Sequence, residues 1–285
     1  MTPLAALLPG GRLHLQHGPI DLIIGADGAR DLAFAAARDR FGSVLAELVD
    51  ELPLLRTPLL PGAPCPQGTV ARRMDTACRP FTSQFITRMA AVAGSVADEV
   101  LDAMIISASP DRAYVNNGGD ISVFMSENQI FITAMQSHDG VDLGRITITQ
   151  GQGIGGIATS GRHGRSHSLG IADSVTVLAG SAAKADVAAT LIANAVDLPG
   201  HPGVTRLPAN QMTPDSDLGA MPVVTDCTRL SRTEKAKALE AGVQRAQAMH
   251  TAGHIKGAAL FLQGEARVLG HGITTRELSH EREHR

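Results

Sequence analysis

The sequence predicts an α+β fold, an antiparallel sheet packed with long helices. Three observations predict it. Two long stretches, from Asp27-Gly28 to about Leu52 and from Thr82 to Met104, carry apolar residues at helical spacing. Several short runs alternate apolar and polar residues with a period of two, and turn residues separate them. One segment, Ala172 to Leu191, passes from strand to helix patterning and organises the rest.

Composition bounds the possibilities. The chain has 285 residues, enough for a sizeable core. Aromatics make up only 3%, with no Trp and a single Tyr114, so the core must be built from Ala, Val, Leu, Ile and Met. The net charge of −3 is spread without long like-charge runs, and no basic patch is interleaved with aromatics. Nucleic acid is therefore not an expected partner. Cys65, Cys78 and Cys227 are far apart and form no C-x-x-C, which fits a reducing compartment and argues against a cysteine-based zinc site. Cys65, in a Pro/Gly-rich loop, leaves room for a reactive thiol. The N-terminus lacks a basic n-region, and no run reaches transmembrane length. The expectation is a cytoplasmic protein with no membrane partner.

In chain order, Arg12 to Gln16 and Ile20 to Ile24 read as two strands around His17-Gly18-Pro19. The first helix has its apolar stripe in Leu32, Phe41, Val44, Leu45 and Leu48. Pro53 to Gln67 carries five prolines and reads as a loop. In the second helix Phe85, Met89, Val92, Val96 and Val100 form the core side, and Gly94 asks for a packing reason, either another helix or a ligand. Arg112 to Met125 reads strand, glycine break, strand; Gly118-Gly119 suggests a bulge or a backbone pressed against a ligand. Gln129 to Ala134 and Arg145 to Thr149 continue as strands of an antiparallel sheet. Gly151 to Gly156 resembles a dinucleotide fingerprint only superficially, since no evident helix succeeds it. Arg162 to Ser168 is a polar loop; His163 and His167 could share a metal only if helical, which Gly164 opposes. Asp197 to Met221 is a connection. Ser231 to Met249 is a helix, with Ser231 and Glu234 spaced as a capping box. Gly257 to Leu262 and Ala266 to Leu269 form a last hairpin, and Arg276 to Arg285 is a charged, frayed end.

The organising segment holds the one chemical anomaly. Val175 and Val177 alternate with small polar residues, Gly180 breaks the strand, and Ser181 can cap the next element. Ala182 to Ala195 is then almost wholly Ala, Leu, Ile and Val, a buried helix. Into it the sequence puts Asp186 and Thr190, four apart and on one face. A buried carboxylate must be paired, hydrogen-bonded or bound to a metal. The alternative is that Asp186 only complements the helix start and Thr190 bonds back to a carbonyl.

The order of motifs resembles the ApbE superfamily, whose best-known members are magnesium-dependent FAD:protein FMN transferases. Five blocks carry the resemblance over about residues 11–198: the N-terminal strand pair and helix, the Ala-rich helix ending Val96-Ala97-Asp98, the strand Val115-Asn116-Asn117-Gly118-Gly119-Asp120-Ile121, the turn Ala158-Thr159-Ser160-Gly161, and Ser174-Val175-Thr176-Val177 followed by Ala185-Asp186-Val187-Ala188-Ala189-Thr190. The sequence is most similar to the cytoplasmic, functionally uncharacterised branch, which carries Gly-Pro-Ile-Asp-Leu near its start. The resemblance implies a T-fold-like architecture and a single domain over 1–285: a core at 11–198, a helix and hairpin at 229–270, and a frayed tail at 271–285. It implies Mg²⁺ held by Asp186, Thr190 and a carbonyl near Ala91–Ala93. It implies FAD or FMN, as substrate or ligand, bordered by Gly118, Gly119, Asp120, Thr159, Ser160 and Gly161. His167 or Asp120 would be nearest for proton transfer, and T-fold-like sheets imply a homodimer or higher oligomer.

Two departures bear on the chemistry. The transferases carry Gly-x-Ala-Lys-Gly on the helix, whereas the lysine position here falls at about Ala93. They also carry a His-x-x-Asp-Pro-x-Thr-Gly loop, of which only His167 survives before Ser168-Leu169-Gly170-Ile171-Ala172. Three readings therefore stay open: Mg²⁺-dependent chemistry on a flavin or nucleotide, ligand binding without chemistry, and a different reaction on the same pocket.

Overall fold

The alternating N-terminal runs become a meander, because glycines supply the turns that reverse it. The computed structural model describes residues 2–276. Strands β1 (Leu4–Leu8), β2 (Arg12–His17) and β3 (Ile20–Asp27) are joined through Gly10, Gly11 and Gly18, all at positive φ. Helices α1 (Arg30–Asp50), α2 (Leu52–Leu55), α3 (Thr69–Cys78) and α4 (Val92–Ala108) come after them. Next come β4 (Arg112–Asn117), β5 (Asp120–Met125), β6 (Ile130–Gln136), β7 (Asp142–Thr149), β8 (Gly156–Ser160), β9 (Ser174–Ala179) and α5 (Ala182–Ala195). The chain continues through β10 (Val204–Pro208), α6 (Ala209–Met212), β11 (Pro222–Cys227), α7 (Arg232–Thr251), β12 (Gly257–Leu262), β13 (Glu265–Gly270) and β14 (Ile273–Thr275). Mixed helices and antiparallel sheets make the class α+β. The described residues group into two compact units.

The first unit comprises the chain to Phe131 with Thr149–Ala158 and Leu178–Val187. Its strands lie in the order β1-β2-β3-β4-β5-β8. Period-two alternation turns Leu13, Leu15, Leu22, Ile24 and Val115 into the core. Helices α1 and α4 pack against each other, and α4 also packs against β4 and β5. The buried stripe of α1 is Ala33, Phe34, Ala37, Phe41, Val44 and Leu48; Leu32, expected in it, is exposed. Helix α4 begins at Val92, not at Thr82. Ile86 and Thr87 are instead held extended by the Pro-rich segment: Leu59 donates its N–H to the Ile86 carbonyl, and Pro58 bridges Thr87. The Thr87 hydroxyl then accepts from the Met89 N–H and starts a 3₁₀ turn, Arg88–Ala91.

The second unit comprises Ile132–Ile148, Thr159–Val177 and the chain from Ala188. In it β9, β12 and β13 are neighbours, and α7 covers β12 and β13. The capping box at Ser231 and Glu234 is formed in both directions. β6 and β7 form as strands where the sequence places them, and with β14 they make a sheet of their own in the order β14-β7-β6. The structure corrects two expectations from the sequence. The connection at 197–221 contains β10, which pairs antiparallel with β11. The tail expected at 271–285 includes β14, and Arg276 donates its N–H to the Leu143 carbonyl at 3.1 Å. The rest of the expected frayed end, 277–285, lies outside the described residues. Among the described residues no helix is long and apolar enough to cross a membrane.

Candidate functional site

Two helix N-termini in the first unit exchange carboxylates. Asp186, in the second turn of α5, accepts the N–H of Gly94 at 3.0 Å and also that of Ala93, both in the first turn of α4. Asp98, one turn further along α4, accepts the N–H groups of Ala182 at 3.0 Å and Ala183 at 2.9 Å, which open α5. Ser122 of β5 donates its hydroxyl to Asp98 at 2.6 Å, and the Ser181 hydroxyl accepts the Lys184 N–H at 3.3 Å. Each carboxylate thus satisfies first-turn donors that would otherwise lack partners.

Such reciprocity needs the helices to touch, and the small residues allow it. A Cβ added at Gly94 would stand 2.3 Å from the Ala182 carbonyl oxygen; one at Gly156 would stand 2.1 Å from the Ala182 nitrogen. The packing reason demanded by Gly94 is therefore the backbone of α5. Gly94→Ala is expected to destabilise the protein by about 1–3 kcal/mol, as overpacking against backbone does. A chemical-denaturation midpoint unchanged from wild type would contradict that contact.

The electrostatics of the pair are unfavourable at neutral pH. Burial raises the Asp186 carboxyl well above its ordinary range, and the charges of Asp120 and Asp98 push it the same way against the two backbone hydrogen bonds. Burial likewise raises Asp98, although Ser122, Ala183 and Ala182 pull it back. Asp120 closes the β4–β5 turn and is itself buried. An ionised carboxylate offers about four lone-pair sites, so Asp186 keeps acceptor capacity beyond its two N–H partners. A hard divalent cation fits such uncompensated oxygen donors, and Mg²⁺ typically takes one or two carboxylates, leaving its other positions to water and phosphate. Among the described residues no group of three His, Cys, Asp or Glu is arranged to hold a metal, so an all-protein cage is not what this site offers.

The other predicted site residues divide between the two units. Gly118 and Gly119, in the first, are not a bulge. They are the two central residues of the β4–β5 hairpin, at φ 65° and 112°, where Asn117 pairs with Asp120. A Cβ at Gly119 would meet nothing, so that side of the turn is open. The Ala93 carbonyl accepts the Asn117 side-chain amide at 3.1 Å. Asp120 and Asp186 are brought together. Thr159, Ser160, Gly161, His167 and Thr190 belong to the second unit. There the Thr159 and Thr176 hydroxyls are hydrogen-bonded at 2.9 Å, and Gly161 abuts the Asp173 carbonyl. Thr190, one turn past Asp186 along α5, is half-buried. His167 bonds the Thr213 hydroxyl at 2.9 Å, while His163 stacks on His138 at 3.8 Å, so the loop histidines do not converge. Burial, Arg162 and His138 hold the His163 imidazole below its usual range. Sequence reasoning misses Asp98 as part of this arrangement. Its signal is a carboxylate directly after the small, apolar Val96-Ala97, one of two adjacent acids of which the other, Glu99, is less buried.

Residues 5–268 match a family model described as AbpE bacteria. A UPF0280 protein of Methanopyrus kandleri is 35% identical over 181 residues, covering 61% of this chain and 69% of that protein. A UPF0280 protein of Methanothrix thermoacetophila is 35% identical over 128 residues, covering 45% of this chain and about half, 52%, of that protein. Among solved structures, the apo flavinyl transferase ApbE of Pseudomonas stutzeri aligns over 98% of this chain and 96% of its own, at 12% identity and a TM-score of 0.43. At these values the likeness carries no functional inference.

Proposed function

This chain belongs to the AbpE bacteria family, a branch of the ApbE superfamily, and on that premise we propose that it binds a flavin- or other nucleotide-type small molecule together with Mg²⁺. One observation carries the reading: Asp186, placed on the first turn of α4, has its ionised form disfavoured by burial and by Asp120 and Asp98. Asp186 and Asp120 would hold the cation, and a bound Mg²⁺ would neutralise charge on a diphosphate. The N–H groups of Ala93 and Gly94 orient the Asp186 carboxylate. The Gly118–Gly119 turn leaves room beside Asp120 for a flat ligand. Binding without FMN transfer is the better-supported form, because Ala93 stands where the transferases carry lysine and their His-x-x-Asp-Pro loop is absent from the sequence.

A single ApbE-like domain, a cytoplasmic setting and self-association belong to the same reading. The family match across residues 5–268, three free cysteines, and the exposed Leu4 and Leu7 of edge strand β1 support them in turn. The test is titration of FAD and FMN into wild type and Asp186→Asn, with Mg²⁺ and with EDTA. Mg²⁺ should tighten wild-type binding, and the variant should lose about 10–100-fold of that affinity, the scale seen when metal-site support is removed. Flavin binding indifferent to both Mg²⁺ and the substitution would overturn the proposal.

A further inference from the structure

A second polar feature of the first unit lies between α3, α4 and the start of α5, a cleft of ≈ 450 Å³. Thr69, Arg72, Arg73 and Thr76 line it from α3, spaced i, i+3, i+4 and i+7 so that they share one face. Ser181 and Lys184 line it from α5. Two acids, Asp98 and Glu99, also reach it, but both are engaged. Glu99 accepts Arg40 at 2.8 Å, Arg73 at 2.7 Å and Thr69 at 3.0 Å. Arg73 spends its other arm on Asp102 at 2.5 Å. Asp98 is turned toward Ala182, Ala183 and Ser122.

The cations are not all so matched. Arg72 and Lys184 are exposed, and among the described residues neither head group has a hydrogen-bond or ion-pair partner. They come from elements more than a hundred residues apart in sequence, yet they line one concavity with the Thr76 and Ser181 hydroxyls. The first N–H groups of α5 are already taken by Asp98 and Ser181, so recognition would fall to these side chains and not to the helix end.

We propose that this cleft binds the phosphate or diphosphate group of a small molecule, with Arg72 and Lys184 as its two cationic arms and the Thr76 and Ser181 hydroxyls as further donors. Guanidinium and ammonium groups give charge-assisted hydrogen bonds to phosphate oxygens. Asp186 does not line the cleft, so the assignment stands apart from the Mg²⁺ site.

The experiment is a calorimetric titration of inorganic diphosphate in EDTA at low ionic strength, with wild type, Arg72→Gln, Lys184→Gln, the double variant and Asp186→Asn. Both cleft positions are exposed, so thermal melts should confirm unchanged folding. Saturable wild-type binding is expected. It should weaken roughly tenfold for each cation removed, the size of one charge-assisted hydrogen bond, and it should weaken further in added salt. Asp186→Asn should leave it intact. No saturable binding at millimolar diphosphate, or equal binding by the double variant, overturns the proposal. Loss of binding in Asp186→Asn alone would move the anion to the other site and overturn it equally.

Discussion

Asp75→Asn is expected to destabilise the protein by about 3–5 kcal/mol, the range for stranding a buried charge. Arg88 is fully buried, and its Nε donates to Asp75 Oδ1 at 2.7 Å. Arg79 donates to both oxygens of the same carboxylate, Nε at 2.5 Å and Nη2 at 3.1 Å. Without the negative charge, the buried guanidinium of Arg88 would face only neutral acceptors, the asparagine oxygen and the carbonyls of Leu54 at 3.3 Å and Pro64 at 2.7 Å. Those carbonyls belong to the Pro-rich segment, which Arg79 also ties down through the Ala63 carbonyl at 3.0 Å. The substitution therefore loosens a long, prolyl surface segment as well as one ion pair. Arg79→Gln is the contrast: its side chain is 33% exposed, and water can replace what it loses, so a cost near 1 kcal/mol or less is expected. Urea denaturation of the two variants checks the ordering. A loss below 1 kcal/mol in Asp75→Asn would mean that Arg88 does not depend on this partner.

How much of the fold is legible in the sequence depends on how local each signal is. The run of small apolar residues after Ser181 can only be a dry helix, and α5 is one: Ala182, Ala185, Ala188, Ala189 and Ile192 are all buried. The Ser231–Glu234 box is readable because both partners lie within one helical turn. The start of α4 is not readable. Its apolar spacing continues back to Phe85, and only Pro58 and Leu59, distant in sequence, hold residues 86 and 87 extended. Helix α3 hides behind the preceding prolines, and with it Arg72. Asp186 can be singled out as a carboxylate in an apolar helix, but its partners cannot, because Gly94 and Asp98 are contributed by another helix. Gly94 announces a close approach without saying to what.

The reciprocal arrangement leads to the last expectation, which concerns pH and divalent cation together. Asp186 and Asp98 both have folded-state carboxyl pKa values raised above that of the unfolded chain, chiefly by burial. Such groups hold their protons more tightly when folded. The slope of unfolding free energy with pH is proportional to protons bound unfolded minus protons bound folded, and here that difference is negative. Their contribution is therefore fully present below the unfolded aspartate pKa of about 4 and is lost as pH rises through the raised folded values. Asp186→Asn removes the larger part of this penalty and keeps a carbonyl oxygen for the α4 N–H groups. Its stability at pH 7 should equal or exceed wild type by on the order of 1 kcal/mol, one pKa unit being worth about 1.36 kcal/mol. Asp98→Asn should behave oppositely. Its carboxylate serves three donors, and an amide in its place turns an NH₂ toward at least one of them, at a cost of about 1–3 kcal/mol. Mg²⁺ supplies the decisive contrast. By mass action it should stabilise wild type by about 2.7 kcal/mol at a hundred times its dissociation constant, and it should leave Asp186→Asn unmoved. Thermal melts of the three proteins between pH 4 and pH 8, with Mg²⁺ and with EDTA, read all of this at once. If Mg²⁺ shifts wild type and Asp186→Asn equally, or if wild type gains stability across that pH range while the variant does not, Asp186 is a helix cap and nothing more.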